Sequence, residues 1–368
     1  MSSDSVVLPT GGPIVVGFGG AAVDFLATVS AFPRPDDKIR STGLKVEGGG
    51  NVGNALTSAA RLGLKPRIIS KVANDFQGRA VLKELEEDGV DTTFFVVSKE
   101  GSSPFSYIIV DSQTKTRTCI FTAGYPPLIP EDLSRGSLLS ALDGASVVYF
   151  DARMHETALF IAREAFSMNI PILVDSERPR EGLDELLTMT DYLVCSQRFP
   201  QAWTMETSIP RALVSILLRL PKLKFVIVTL GENGCIMLEK CVDAENPQIA
   251  EIDVDNSFES LSRKKDDSIV MPTCIASSLA KFRGEGVGTV CGRLYVGTAE
   301  RIPPSEVIDT TGAGDAFVGA VMYSICNNFS PEKMLPFASC VAAANCKALG
   351  ARSGLPYRRD PCLASFLE

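Results

Sequence analysis

The stretch that decides the fold is Asp309-Thr310-Thr311-Gly312-Ala313-Gly314-Asp315-Ala316-Phe317. Two glycines stand where a loop turns into a helix, and Ala316 to Ile325 (AFVGAVMYSI) carry the apolar spacing of a buried helix. Gly312 and Gly314 allow close backbone approach and let several N–H groups point one way. The helix N-terminus adds partial positive charge, so the loop makes an anion hole. Asp315 sits inside it, where a carboxylate can take a proton from an attacking hydroxyl. A plain turn needs glycine, but it does not need Gly-x-Gly-Asp running directly into an apolar helix.

Outward from this loop the chain alternates strands and helices. Ile14 to Gly19, Arg67 to Val72, Ser146 to Phe150, Ile172 to Asp175, Tyr192 to Cys195 and Phe225 to Leu230 are continuous apolar runs. Asn51 to Leu62 and Gln77 to Asp88 read as helices between them. Strands that are apolar throughout are buried on both faces, which predicts an α/β fold with a mostly parallel central sheet flanked by helices in three layers. Phe105 to Asp111 and Thr116 to Thr122 flank a polar turn, Ser112 to Lys115, and predict a hairpin; Lys38 to Val46 adds a strand to it. Such a sheet, with strands within about 36–48 and 104–123, is a lid, a protomer contact or an ordinary antiparallel edge. Residues 242–290, rich in acids, serines and glycines with little periodicity, read as a flexible surface insertion in an otherwise single domain spanning 1–368.

Composition narrows the function. The chain has 368 residues, 45% of them hydrophobic, ample for a packed core. A net charge of −8 argues against nucleic acid as a partner. The ten cysteines form no C-x-x-C pair, as in a reducing compartment. A single histidine, His155, rules out a histidine-built zinc site and disfavours a Ser-His-Asp triad. The opening residues show neither a signal nor a transit pattern, and the apolar runs are strand-length, so the expectation is a cytoplasmic protein without a membrane partner.

A second glycine cluster, Gly48-Gly49-Gly50-Asn51-Val52-Gly53-Asn54, opens a helix and puts Asn51 and Asn54 on one face. Two amides suit neighbouring hydroxyls of a polyol, although asparagine at a helix start is also an ordinary cap. Asp24 follows the first strand, where ligands collect in α/β sheets, and Asp36 lies further on. Carboxylates and amides together favour a neutral sugar and, without an arginine clamp, repel a phosphorylated one. Thr229-Leu230-Gly231-Glu232-Asn233-Gly234 closes a buried strand with another glycine turn, which either meets nucleotide phosphate or only reverses the chain.

The glycine–aspartate loop and the Gly49 to Asn54 cluster resemble the two signatures of the PfkB, or ribokinase-like, carbohydrate kinases. The likeness runs from about Ile14 to Pro356, outside the 242–290 segment. Within that family the stretch from Val23 to Asn54, the hairpin around Arg117 and the run Tyr149 to Arg153 are most similar to the ketohexokinases. The resemblance implies a ribokinase-like fold with a small β-sheet lid that also pairs protomers into a homodimer. It implies Asp315 as base, with Gly312, Ala313 and Gly314 as the anion hole. Asp24, Asp36, Gly50, Asn51, Asn54 and Arg117 would hold the sugar, and Thr229, Gly231, Gly234, Thr311 and Asn345 the nucleotide. ATP and Mg²⁺ are the implied cofactors. A monovalent cation, K⁺, is implied at Asp309, Thr311 and Ser353, in loops that an ordinary turn explains equally well. Where many members carry Asn-x-x-Glu, this chain has Ser196-Gln197-Arg198-Phe199, which leaves the magnesium ligands unassigned.

The expected activity is ATP-dependent phosphorylation of a hydroxymethyl group on a small neutral sugar, a ketohexose such as fructose first. Two alternatives stand beside it. One is a nucleoside kinase, with Phe105 or Tyr107 covering the base. The other is an inactive kinase-like binding protein.

Overall fold

A computed structural model describes residues 11–114, 116–241 and 249–367. Among these residues the main sheet has eleven strands. Lys65–Ile69, Ile14–Phe18, Ala145–Phe150, Ile172–Ser176, Tyr192–Ser196 and Phe225–Thr229 lie side by side, all parallel. Cys235–Lys240, Gly288–Gly297 and Ala280–Gly284 continue the sheet antiparallel, Glu251–Asp253 pairs parallel at the far edge, and Cys274–Ala276 also pairs Gly288–Gly297.

Successive residues of the parallel strands enter opposite cores because side chains alternate across a sheet. Val16, Val148, Val174 and Leu193 pack with the helices His155–Ser167 and Ile209–Arg219. Val15, Val147, Leu173 and Val194 pack with Asn51–Arg61, Ala313–Cys326 and Pro331–Asn345. Each fully buried Val, Leu or Ile is worth about 1.5–3 kcal/mol over its exposed state, which is why uninterrupted apolar strands are kept. Side-chain caps set where helices begin: Asp75 accepts from the Gly78 N–H at 2.7 Å, and Ser208 from the Arg211 N–H at 3.3 Å.

The second sheet orders Gly43–Gly49, Ala22–Val29, Phe105–Asp111 and Arg117–Thr122. The hairpin read from the sequence is its outer half. Ala22–Val29 escapes a sequence reading because Asp24 interrupts its apolar run; in the structure it pairs parallel with Phe105–Asp111 and antiparallel with Gly43–Gly49. Leu26, Ile108 and Val110 form a separate small core that packs on Leu349.

The expected flexible insertion is corrected by the structure. Its described part, 249–290, holds strands and the helix Val254–Ser262, with Val254, Leu261, Ala280, Phe282 and Val290 buried. Strands of three to five residues are too short to display periodicity, so composition misled the reading. Residues 242–248 of that segment, the N-terminal residues 1–10 and Lys115 in the hairpin turn lie outside the described residues.

Candidate functional site

The helix Ala313–Cys326 starts from Gly312, whose φ of 74° lies in the left-handed region. A Cβ there would stand 2.7 Å from the Ala351 Cα, so both conformation and space require glycine. Gly314, by contrast, would direct a Cβ into open space at the cleft. Asp315 follows in the first turn, and Asn54 Nδ2 donates to its Oδ2 at 2.8 Å. The other end of that amide is fixed as well: Arg352 Nε donates to Asn54 Oδ1 at 2.9 Å. A guanidinium can only donate, so it forces the Asn54 NH₂ toward Asp315. Arg352 is 1% exposed and also donates to the Gly49 carbonyl at 3.0 Å. Protein crowds the Asp315 carboxyl at the cleft floor, and desolvation pushes its pKa up to about 7 against the pull of the Asn54 hydrogen bond.

Asp315 borders a cavity of about 320 Å³ lined from both the main sheet and the second sheet. Asp24, Gly50, Asn51, Asn54 and Arg117 all line it, as do Thr311, Gly312 and Gly314. Gly49 makes room for Asp24, since a Cβ on it would fall 2.1 Å from the Asp24 Oδ2. Asp24 is 4% exposed, and burial raises its pKa to about 6, opposed by a hydrogen bond from Ser106 and by the Arg352 charge. Arg117 reaches from the second sheet to the loop before Gly312 and donates to Thr310 Oγ1 at 2.8 Å.

A second cavity, about 740 Å³, opens on the other side of the same loop. Thr229, Gly231 and Gly234 line it together with Thr310, Ala313 and Gly314, and Thr229 and Gly314 border both cavities. Asp315 therefore lines a chamber of monosaccharide size, next in sequence to Gly314, which also borders the larger groove.

Three expected placements are corrected. Asp36 is exposed in the turn that joins Ala22–Val29 to Gly43–Gly49, away from the cavity lining; the chain must reverse there, and Asp36 takes a φ of 66° to do it. Asn345 is fully buried and lines neither cavity; its Nδ2 supports the Thr311 carbonyl at 2.8 Å from behind. The oxygens of Asp309 and Ser353 are already engaged. Asp309 Oδ1 accepts from the N–H and hydroxyl of Thr311 at 2.9 and 2.7 Å, and its Oδ2 accepts from the Gly350 N–H at 2.9 Å. The Ser353 hydroxyl accepts from Lys45 and donates to Glu47 at 3.0 Å. This donor set does not fit a free K⁺.

Sequence reasoning missed Arg352, whose local context is that of any surface arginine. It also gave no role to Arg153, Asp175 and Glu177, which line the smaller cavity. The signal that singled out Asp24, a polar residue just past a buried strand, applies equally to Asp151-Ala152-Arg153 and Asp175-Ser176-Glu177. Arg153 is matched by Asp151 at 3.6 Å and Glu177 at 3.3 Å, so its charge is largely spent. Asp175 has its pKa raised well above the carboxylate range by burial and by the charges of Asp315 and Glu177. Phe105 and Tyr107 do not line the cavity; Phe121 does. Among the described residues no three carboxylate, histidine or cysteine groups cluster as a metal cage. Asp175 and Glu177 are the cavity carboxylates left without a role in holding sugar or proton, and Glu177 is paired with Arg153 at 3.3 Å and Arg180 at 3.2 Å.

The sequence model of pfkB family carbohydrate kinases matches residues 14–257 and 290–358. A ribokinase of Mus musculus is 24% identical over 96% of this chain and 94% of its own length. A ketohexokinase of the same species is 21% identical over 90% and 95%, so whole-chain identity does not set the ketohexokinases apart. The structure of the Arabidopsis thaliana ribokinase complexed with ribose and ATP superposes with a TM-score of 0.68 at 18% identity, covering 97% of this chain and 99% of that one. That likeness bears on the fold: a ribokinase-like sheet flanked by helices, with a smaller sheet beside it.

Proposed function

The chain belongs to the pfkB family of carbohydrate kinases, which are phosphotransferases, and we propose that it moves the γ-phosphoryl group of ATP onto a hydroxymethyl group of a small neutral sugar. The observation that carries this reading is the position of Asp315. One hydrogen-bonded carboxyl with a pKa of about 7 lines the sugar-sized cavity, and its neighbour Gly314 borders both that cavity and the larger groove. Four acids, Asp24, Asp175, Glu177 and Asp315, border the smaller cavity against Arg117 and Arg153. Since Arg153 is already paired with Asp151 and Glu177, Arg117 is the one cation of this lining left to meet an anionic acceptor, which supports an uncharged one.

In the mechanism, Asp24, Asn51 and Asn54 hold the sugar hydroxyls and present one to Asp315. The hydroxyl oxygen bonds to the γ-phosphorus as its proton passes to the Asp315 carboxylate and the bond to the β-phosphate oxygen breaks, releasing ADP. The N–H groups at Gly312 to Gly314 and the helix N-terminus take up the charge that gathers on the transferring oxygens. Arg117, tied to Thr310, closes the lid side of the same spot. Asp175 and Glu177 would be the carboxylates nearest to a bound magnesium ion, which would neutralise phosphate oxygens while keeping most of its waters. Positioning rather than covalent work dominates such a reaction.

The acceptor we favour is a ketohexose, with a pentose next. A nucleoside is a second reading, supported by an adjoining cavity of about 370 Å³ that shares Phe121, Pro104 and Arg153 with the sugar chamber and has room for a base. ADP release measured over fructose, ribose, other polyols and nucleosides tests both. Turnover on a free sugar and none on nucleosides supports the first reading; the reverse supports the second; none on any acceptor refutes catalysis. For assembly, the row Val46, Phe25, Tyr107 and Ile120 crosses the outer face of the lid in register, and its exposed members suit contact with a second copy.

A further inference from the structure

Alternation along Gly43–Gly49 sends Leu44 and Val46 outward, 71% and 51% exposed, and turns Lys45 and Glu47 inward. The Lys45 ammonium there meets three acceptors, matching its three N–H bonds. It donates to the Leu349 carbonyl at 2.5 Å, to the Ser353 hydroxyl, and pairs with Glu47 Oε2 at 2.7 Å. Carbonyl, hydroxyl and carboxylate oxygens converging on one positive centre are the coordination expected of a small monovalent cation, supplied here by a tethered side chain.

The position matters because of what lies across the same peptide plane. The Leu349 carbonyl takes the lysine, and the N–H of Gly350, on the opposite edge of that peptide, donates to Asp309 Oδ2. Asp309 in turn holds the N–H and hydroxyl of Thr311, one residue before the left-handed Gly312 that opens the anion hole. The loop 349–353 also presses Ala351 against Gly312 and carries Arg352, which orients Asn54 toward Asp315. A charge on the lid is thus connected by successive hydrogen bonds to both the anion hole and the base.

We propose that Lys45 is a built-in cation that positions the anion-hole loop, so that phosphoryl transfer by this protein needs no potassium. The inference rests on the phosphotransferase reading of the site. Lys45 touches neither cavity and acts as a positioning residue.

The test compares the full-length wild type with Lys45→Met, which keeps the length and loses the charge, and with Lys45→Ala. Turnover and melting temperature are measured in potassium, sodium and choline chloride at equal ionic strength. The wild type should vary by no more than about twofold, and Lys45→Met in choline should lose about tenfold or more in kcat, the worth of one charge-assisted hydrogen bond. Potassium should restore most of that loss in Lys45→Ala, whose vacated oxygens can take the ion, and should raise its melting temperature without moving that of the wild type. The melting shift needs no substrate, so it decides the inference even if no acceptor is phosphorylated. Activation of the wild type by potassium overturns it, as does a Lys45→Met enzyme with unaltered kcat. A folded Lys45→Ala protein that no cation stabilises or revives also overturns it.

Discussion

Asn54 and Asp315, 261 positions apart in the chain, share one hydrogen bond of 2.8 Å, and its direction is set from behind by Arg352. The amide can present only its donor face to the carboxyl, which favours the ionised form of a group that burial otherwise drives toward neutrality.

Removing the carboxyl tests its role directly. Asp315→Asn and Asp315→Ala should each lower kcat by about 100-fold or more, in steady-state ADP release with saturating ATP and acceptor. Retention of near-normal turnover removes Asp315 from the chemistry.

The pH dependence follows from the raised values. A base works when deprotonated, so kcat/KM should climb through about pH 7 and level off above it. For stability the sign is opposite. With a folded pKa near 7 against an ordinary 3.8, Asp315 contributes stability below about pH 4 that is lost as pH rises through about 7. Asp315→Asn should therefore raise the melting temperature relative to wild type more at pH 8 than at pH 5, by about 1–3 °C. An equal difference at both pH values contradicts the buried-carboxyl account.

Asn54→Ala should cut kcat by about tenfold and shift the ascending pH limb upward, because the donor that favours the carboxylate is gone. The shift separates loss of this hydrogen bond from general damage, which lowers the plateau without moving the limb.

Asp24→Ala should raise KM for the acceptor by about tenfold, with a smaller effect on kcat, because an acid 4% exposed that borders the cavity binds hydroxyls through both reactant and transition state. Asp36→Ala, in an exposed turn, should leave both constants within about twofold. Equal damage from the two substitutions means that the lid closes further over the acceptor than this structure shows.

Two glycines of one loop should behave differently. Gly312→Ala places a Cβ 2.7 Å from Ala351 at a φ of 74° and should lower the melting temperature along with activity. Gly314→Ala meets no atom within 4 Å, so it should fold normally and lose kcat by narrowing the passage between the cavities. Thermal melting beside kinetics resolves the pair.

The sequence by itself determined the parallel strands, the two glycine-rich helix starts, the hairpin of the second sheet and the place of Asp315 in the first turn of its helix. Each is written in residues close together: an apolar run long enough to be buried, a glycine pair before a helix, two β-rich arms around a turn. Asp24 was read as lying just past the first strand; the structure puts it inside the next one, Ala22–Val29, on the cavity. Only the tertiary structure decided that Asp36 stays outside the cavity lining, that Arg352 steers Asn54, and that Lys45 meets the Leu349 and Ser353 oxygens. It also decided that 249–290 holds short strands and a helix. These depend on which distant segments pack together, and a buried arginine, an inward lysine or a three-residue strand has no local pattern to distinguish it from its solvent-exposed counterpart.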